Sequence, residues 1–339
     1  MAGKVIEWVC NKVRLKLELD LPIGSLISAS KKFLIMNVLI AKLGATGDVV
    51  RTTTLLHKFP GHVSWITEAK NIVLLQNLRQ NIRCLSWEQR FAAGDRSYDL
   101  VINLEDTIEL GLFIETLQYK QLFGAFVDSG NELRYTEDSS RWFDMSLISV
   151  YGKQKADALK FQNRQTYQEL IFQGMGFHFA GEKYVLPEPL YTDLSGDVAI
   201  APVAGAVWPM KNWAFYDELR KDLEAEGFVV NILPKRSSLL EHLSDVQSHR
   251  CLVGGDSLPM HFALGTNTRC VSLFTCTSPW EIYDYGLQKK IVSPLLGDFF
   301  YQRGFNSRAT TSISLGEVRG ATMEQLNGAT SVVCRNAIG

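Results

Sequence analysis

Residues 33–50, FLIMNVLIAKLGATGDVV, contain the pattern from which the fold class of this chain follows. Residues 33–41 are almost entirely apolar, as expected for a parallel strand that is buried on both faces. A turn with two glycines comes next, and residues 48–58 have the pattern of a short helix. A strand, a glycine turn and a helix in this order predict the first unit of a doubly wound α/β sheet.

The same alternation continues along the chain in two blocks. In the first block we predict further strands at 62–67, 82–87, 98–104 and 121–127. In the second block we predict strands at 197–203, 228–233, 251–253 and 270–274, and helices at 213–226, 237–246 and 258–264. Two α/β halves of this kind form a cleft between the carboxyl edges of their sheets, where ligands bind in open α/β folds.

A turn-rich stretch separates the two blocks. Residues 181–196 contain Pro187, Pro189 and two glycines, a composition typical of a linker. We therefore predict an N-terminal domain over residues 31–185 and a C-terminal domain over residues 186–339. Residues 1–30 form an extension of unassigned role, in which residues 12–20 have the pattern of an amphipathic edge strand.

Composition excludes several classes of protein. The 339 residues fit two globular domains, and a net charge of −1 gives no overall attraction to nucleic acid. The six cysteines form no C-x-x-C pair, so we predict no metal site, and nothing in the chain indicates a cofactor. Thiols in apolar runs, with no secretory signal and no apolar run of membrane-spanning length, predict a cytoplasmic protein.

Positive charge is concentrated at the start of the chain. Residues 1–58 hold nine Lys and Arg residues against four Asp and Glu residues. Such a stretch is typical of a solvated surface, and equally of a basic face beside an anionic acceptor or a lipid headgroup. Both interpretations stay open at this point.

The turn KLGATGD at residues 42–48 is the first candidate site. Gly44 and Gly47 let the backbone turn tightly and leave amides facing a ligand. Their spacing matches neither a dinucleotide-binding G-x-G-x-x-G nor a Walker loop. Asp48, at the start of a helix, stays ionised and can accept a proton from a bound hydroxyl. The alternative is that Asp48 only caps the helix.

The stretch GGDSLPMH at residues 254–261 is the second candidate site. It follows a predicted strand and opens a helix, so its free amides and the positive helix end suit a diphosphate. Asp256 cannot favour a phosphate, and we expect it to receive sugar hydroxyls. His261, one helical turn further on, can face the same ligand, or can be an ordinary packed side chain.

Two shorter stretches follow other strands of the second block. In WPMKNW, residues 208–213, a lysine stands at a helix start, where its positive charge is unfavourable beside the positive end of the helix dipole. Residues that violate such local preferences are often found at functional sites. The ammonium of Lys211 could neutralise a leaving diphosphate; the alternative is a solvated lysine. In TCTSPW, residues 275–280, hydroxyls could bind phosphate or sugar, or the stretch is a plain Ser-Pro turn.

The order and spacing of these motifs resemble the heptosyltransferases, glycosyltransferase family 9. The resemblance spans about residues 36–290 and rests on residues 42–49, 209–213 and 255–261, with support from residues 98–105 and 277–279. It implies a GT-B fold, in which two Rossmann-like doubly wound domains face a central cleft. It also implies an inverting, metal-independent transfer of a heptose from ADP-L-glycero-β-D-manno-heptose to a hydroxyl of a glycan or glycoside acceptor.

The resemblance also implies roles for individual residues. Asp48 matches the family's general base, Lys211 its phosphate-binding lysine and Asp256 the acid that binds the donor heptose. The donor-binding set is Lys211, Asp256, Ser257, Leu258, Met260, His261 and Thr277. The acceptor-binding set is Gly44, Thr46, Gly47 and Arg51. Members of the family build the inner core of lipopolysaccharide, which implies a location at the cytoplasmic face of the inner membrane with peripheral membrane contact.

Two positions depart from the family pattern in the donor pocket. Leu258 stands where a glycine is usual, and Val207 stands where a polar residue or arginine is usual. A GT-B transferase with another nucleotide sugar, or with a protein or natural-product acceptor, is therefore an open alternative. From a different class, a non-catalytic sugar-nucleotide-binding protein is also open.

Overall fold

The computed structural model describes residues 36–336, with side chains up to residue 328. The extension at residues 1–30, its edge strand at 12–20 and the first residues of the predicted strand 33–41 lie outside this range.

The first half of the described chain forms a six-stranded sheet with the order β3-β2-β1-β4-β5-β6. Its strands are β1 (Asn37–Ala41), β2 (His62–Thr67), β3 (Ile82–Ser86), β4 (Ser97–Asn103), β5 (Gln118–Val127) and β6 (Leu133–Tyr135). The first five strands pair in parallel, and β6 pairs antiparallel with β5. Side chains of β1 point alternately into two hydrophobic clusters, so this strand is buried on both faces as predicted.

Helices cover both faces of this sheet. They are α1 (Thr46–Thr52), α2 (Ile72–Leu75), α3 (Ile108–Glu115), α4 (Ser140–Phe143), α5 (Lys153–Gln162) and α6 (Tyr167–Gly174). Short 3₁₀ segments lie at Thr53–His57, Ala69–Asn71, Trp87–Asp95 and Glu137–Ser139.

The single helix predicted at residues 48–58 is instead an α-helix followed by a 3₁₀ turn. The hydroxyls of Thr52, Thr53 and Thr54 donate to backbone carbonyls three or four residues earlier, at 2.6–2.9 Å. Three consecutive β-branched residues whose side chains compete for helical carbonyls disfavour a continuous α-helix. The tighter turn follows from this local competition.

The second half forms a five-stranded parallel sheet with the order β11-β10-β9-β7-β8. Its strands are β7 (Gly196–Ala201), β8 (Val230–Ile232), β9 (His249–Gly255), β10 (Arg269–Phe274) and β11 (Gln288–Val292). The helices are α7 (Tyr216–Ala225), α8 (Leu239–Gln247), α9 (Leu258–Gly265), α10 (Leu296–Phe299), α11 (Ser307–Thr310) and α12 (Leu315–Asn336), with a 3₁₀ turn at Pro209–Lys211.

Two details of this half differ from the sequence-based expectation. The helix predicted from residue 213 begins at Tyr216, because the Trp213 indole donates to the Ile313 carbonyl and the Ala214 amide donates to the Thr310 carbonyl. Strand β11 was not predicted, since only one of its five residues is buried and its sequence lacks an apolar run.

Both sheets carry a hydrophobic cluster on each face, as the doubly wound prediction requires. The halves also touch directly, because Val50 of α1 and Leu74 of α2 join the cluster formed by α8 and α9. Cys251 and Cys270 are buried free thiols in core strands, as predicted. The domain boundary at residue 185 stays a prediction. Among the described residues, no helix has the length and apolar character of a membrane span.

Candidate active site

The strand orders of the two sheets mark one crevice in each half. The order reverses between β1 and β4 in the first sheet and between β7 and β9 in the second. At such a point the connections that follow two neighbouring strands run to opposite faces of the sheet. This leaves a crevice at the carboxyl ends of the two strands, where ligands bind. The segments that follow these four strands contain residues 42–48, Glu105, Lys211 and Asp256. Asp48, predicted as the base, and Lys211 and Asp256, predicted to bind the donor, thus lie where the topology favours a ligand.

Asp48 lies in the first turn of α1 with about a third of its side chain exposed. Its Oδ1 is 2.8 Å from Arg51 Nη2 and its Oδ2 is 3.9 Å from Lys42 Nζ. Burial acts to raise the pKa of this carboxyl, but Arg51 and Lys42 outweigh burial and lower the pKa. The N-cap residue is Ala45, and no side chain caps α1, so the alternative that Asp48 serves as the cap is not supported.

Glu105 holds the loop that precedes Asp48. Its Oε1 accepts hydrogen bonds from Lys42 Nζ at 2.7 Å, from the Leu43 amide at 2.8 Å and from the Gly44 amide at 3.3 Å. The Gly44 amide therefore faces Glu105, whereas we expected it to face a ligand. Sequence reasoning did not single out Glu105, although an acid directly after a predicted buried strand is a detectable signal.

Lys211, Asp256 and Thr277 form one hydrogen-bonded cluster in the second half. Lys211 Nζ donates to the Asp256 carbonyl at 2.7 Å and to Asp256 Oδ2 at 2.9 Å, and the Thr277 hydroxyl donates to the same Oδ2 at 2.8 Å. Burial acts to raise the pKa of Asp256, but Lys211, His261 and these bonds outweigh it and lower the pKa to about 2. The buried Lys211 is thus not the solvated lysine of the alternative interpretation.

His261 of the second half contacts the first half next to Asp48. Its ring is buried, and Nδ1 lies 3.4 Å from the Tyr184 hydroxyl. A Cβ added to Gly47 would lie 2.7 Å from His261 Cδ2, so the glycine at this position allows the close approach. Burial, followed by the charge of Arg51, lowers the pKa of His261 to about 4, and the ring is neutral at neutral pH.

Several predicted residues do not bring a side chain to these clusters. Met260 is buried in the core, and its amide donates to the Ser257 carbonyl at 3.1 Å. Leu258 packs against the same core, and the Ser257 hydroxyl lies 3.5 Å from the Gly255 carbonyl. Ser257 and Leu258 can contribute backbone amides at the start of α9, whereas the Met260 amide is already bonded, and the donor-binding role of all three residues stays a prediction.

On the acceptor side, Thr46 and Arg51 are already engaged within the protein. The Thr46 hydroxyl donates to Asn71 Oδ1 at 2.8 Å. Arg51 is buried, with its guanidinium 3.9 Å above the centre of the Tyr167 ring and Nη1 3.8 Å from Glu281 Oε2. Acceptor binding by these residues stays a prediction, and the structure gives Arg51 a direct contact with Asp48.

A cavity of about 520 Å³ opens at the same carboxyl edge of the second sheet. Residues 234–239 and His242 line it from the second half, and Lys70 and Val73 line it from the first. Pockets for small molecules have volumes of roughly 300–1,000 Å³. Within residues 36–336, no group of three or more His, Cys, Asp or Glu side chains is arranged to hold a metal ion.

Comparisons with known proteins agree with this architecture. Residues 199–297 match the model of glycosyltransferase family 9 (heptosyltransferase). No curated protein matches the chain. The E. coli heptosyltransferase WaaC, solved with ADP-2-deoxy-2-fluoro heptose, is 14% identical with a TM-score of 0.57, covering 85% of this chain and 99% of its own.

Two further solved structures have the same fold. The glycosyl transferase family 9 protein from Veillonella parvula is 14% identical with a TM-score of 0.60, covering 86% of this chain and 98% of its own. The E. coli ADP-heptose lps heptosyltransferase II is 14% identical with a TM-score of 0.57, covering 86% and 99%. The GT-B fold is confirmed, and so are the resemblance to the heptosyltransferases and the glycosyltransferase class.

Proposed function

Because residues 199–297 carry the family 9 pattern and the chain is a glycosyltransferase of GT-B fold, we propose that it transfers a heptose from ADP-L-glycero-β-D-manno-heptose, with inversion, to a hydroxyl of a glycan or glycoside. One observation carries this proposal. The ionised Asp48 of the first half and the Lys211–Asp256 pair of the second half lie at the two crevices, and the Gly47–His261 contact joins these regions.

The donor side supplies groups suited to a nucleoside diphosphate. Lys211 brings a buried ammonium, and the start of α9 brings the positive end of a helix dipole. Asp256, kept ionised, accepts hydrogen bonds from hydroxyls of the sugar. WaaC is solved with ADP and with ADP-2-deoxy-2-fluoro heptose, which supports an ADP-linked donor for this chain.

The reaction we propose is a single displacement. Asp48 takes the proton of the acceptor hydroxyl while that oxygen forms a bond to the anomeric carbon. The bond from the anomeric carbon to the diphosphate breaks, and Lys211 with the α9 amides stabilises the charge on the leaving group. This assignment makes the transfer inverting and metal-independent, and it places the acceptor beside residues 44–48.

For the acceptor, we propose first the inner core of lipopolysaccharide at the cytoplasmic face of the inner membrane. One observation favours a second candidate, a GT-B transferase with another nucleotide sugar. Val207, which stands where the family pattern has a polar residue or arginine, is exposed in the loop between β7 and Lys211. A valine at this position offers a donor sugar no side-chain hydrogen bond.

A donor screen tests the proposal. ADP release and thermal shift are measured with ADP-heptose and with other ADP-, GDP- and UDP-sugars, using lipopolysaccharide core fragments as acceptors. We expect the largest shift and the fastest release with ADP-heptose. Turnover with a different nucleotide sugar supports the second candidate, and tight ADP binding without turnover on any acceptor supports a non-catalytic sugar-nucleotide-binding protein.

A further inference from the structure

A buried carboxylate from the second half lies between two cations of the first half. Glu281, in the loop after β10, has Oε2 3.8 Å from Arg51 Nη1 and Oε1 3.6 Å from Lys160 Nζ of α5. The Tyr301 hydroxyl donates to Oε1 at 3.1 Å. Only 7% of the Glu281 side chain is exposed. Burial of a carboxylate is costly unless such partners compensate it, so these contacts stabilise the buried Glu281 side chain.

Arg51 is shared between Glu281 and the proposed base. Its Nη2 lies 2.8 Å from Asp48 Oδ1, while Nη1 faces Glu281. The guanidinium carbon lies 3.9 Å from the centre of the Tyr167 ring, and the buried Nε has no hydrogen-bond partner. A buried guanidinium stacked on a ring cannot turn toward solvent without losing these contacts. Its two charged neighbours therefore set its position.

The loop that carries Glu281 is fixed from two directions. The Tyr167 amide donates to the Glu281 carbonyl at 3.0 Å, which ties the loop to the start of α6. The Lys290 ammonium donates to the carbonyls of Pro279 at 2.8 Å and Ile282 at 2.5 Å. These backbone contacts place the carboxylate independently of its own charge.

We propose that Glu281 is a positioning residue that tunes the general base through Arg51, by attracting the guanidinium and so opposing its full engagement with Asp48. This inference rests on the proposed role of Asp48. An opposite charge within about 4–6 Å typically lowers a carboxyl pKa by ~1–3 units, and a base with too low a pKa transfers protons slowly. Sharing Arg51 with Glu281 limits that loss of basicity.

Other charged and titratable groups also face this pair. Asp48 is additionally influenced by Lys42, His261 and Asp256, and Arg51 by Tyr167 and Asp256. These groups are common to the natural protein and to variants at Glu281 or Lys160, so they do not determine the sign of the expected change in the Asp48 pKa. Lys160 lies near the other oxygen of Glu281, so its replacement should change the Asp48 pKa in the opposite direction.

The test is a titration of the Asp48 carboxyl by NMR in the full chain labelled with ¹³C-aspartate. The Asp48 signal is the one that disappears in Asp48→Asn. In Glu281→Gln the guanidinium is no longer attracted toward residue 281 and can engage Asp48 fully, so we expect the pKa of Asp48 to fall by about half a unit to one unit. In Lys160→Met, Glu281 draws Arg51 more strongly, and we expect a smaller shift in the opposite direction.

A double-mutant cycle identifies the route of this effect. If Glu281 acts through Arg51, then Glu281→Gln leaves the pKa of Asp48 unchanged in an Arg51→Met background. A shift that persists in that background, or shifts of the same sign in Glu281→Gln and Lys160→Met, overturns the inference. Lys160→Met alone still gives the sign test if Glu281→Gln does not fold.

Kinetics separate this inference from the proposed function. ADP release from ADP-heptose is followed at pH 7, where Asp48 is ionised in the natural protein and in Glu281→Gln. For Glu281→Gln we expect a kcat lower by about 3- to 10-fold, because the base is weaker, and an unchanged donor KM. If Asp48→Asn keeps full activity, the proposed base is wrong while the NMR result stands. If Asp48→Asn is inactive and the titration in Glu281→Gln is unchanged, only the inference fails.

Discussion

The donor side and the base side of the cleft stabilise their charges in different ways. On the donor side, Lys211 and Thr277 both donate to Asp256 at 2.7–2.9 Å, and all three residues belong to the second half. On the base side, Asp48 depends on Arg51, which contacts Glu281 of the other half at 3.8 Å. The donor cluster is self-contained, whereas the arginine that pairs with the base also has a contact that crosses the cleft.

This difference implies that donor affinity and base strength are controlled by separate groups. A ligand that binds between the halves can change the distance from Arg51 to Glu281 while the Lys211–Asp256 pair keeps its geometry. Substitutions on the two sides should therefore have separable effects on binding and on turnover.

Asp48→Asn should show the largest effect. The amide keeps the shape of the side chain but cannot accept a proton from the acceptor, and loss of a general base typically lowers kcat by ~10²–10⁴-fold. We expect the affinity for ADP, measured by calorimetry, to stay within about twofold because the donor cluster is untouched. Asp157→Asn is the matched control, since this carboxylate is equally exposed and pairs with Lys153 on α5. Near-normal turnover of Asp48→Asn would contradict the assignment.

Lys211→Met should have the complementary effect on binding. A hydrogen bond to a charged group contributes ~1.5–3 kcal/mol, so the Kd for ADP should rise by about 10- to 150-fold. Calorimetric titration with ADP measures this change directly. Lys221→Met, the same substitution at an exposed position of α7, is the control. An unchanged Kd for ADP would show that Lys211 serves only to hold Asp256.

The sequence predicted the donor side more completely than the base side. Lys211, Asp256 and Thr277 each follow a strand of the same sheet, so alternation of strands and helices was enough to place them at one edge. Because the three residues follow strands that end at this edge, their side chains come close enough to form hydrogen bonds.

The partners of Asp48 could not be identified in the same way. Glu281 lies more than 200 residues along the chain from Asp48, and Tyr167 belongs to a helix outside the recognised motifs. The contact of Glu281 with Arg51 depends on how the two halves approach each other, and that of Tyr167 depends on how α6 packs on α1, neither of which local patterns encode. The burial of Met260 was missed for a related reason, because a motif shared with a family does not state which of its side chains turn toward the core.

Gly47→Ala tests the contact that joins the two sides. The new methyl group would lie 2.7 Å from His261 Cδ2, so the ring or α1 must shift. Overpacking of this kind costs about 1–3 kcal/mol, and we expect the free energy of unfolding in urea to fall by that amount. Gly320→Ala, in α12 with open space around its Cβ, should instead be neutral or stabilising by up to about 1 kcal/mol. Equal effects of the two substitutions would contradict the close approach.

His261 should also make stability depend on pH, with a smaller effect. Its pKa is about 4 in the folded protein and 6.5 ordinarily, so the unfolded chain binds more protons between these values. The stabilisation is present above pH 6.5 and is lost as the pH falls, by about 2 kcal/mol between pH 7 and 5. The depressed pKa values of Asp48 and Asp256 act only below about 3.8, outside this window.

The measurement compares urea unfolding of the natural protein and His261→Gln at pH 7 and pH 5. His242 and His249 also have pKa values lowered by burial, so both proteins should lose some stability on acidification. The natural protein should lose about 2 kcal/mol more than His261→Gln, because only it must expose a ring that is kept neutral between Gly47 and Tyr184. Equal losses would mean that the ring is already solvated in the folded state, and that the base and donor sides are not joined through His261.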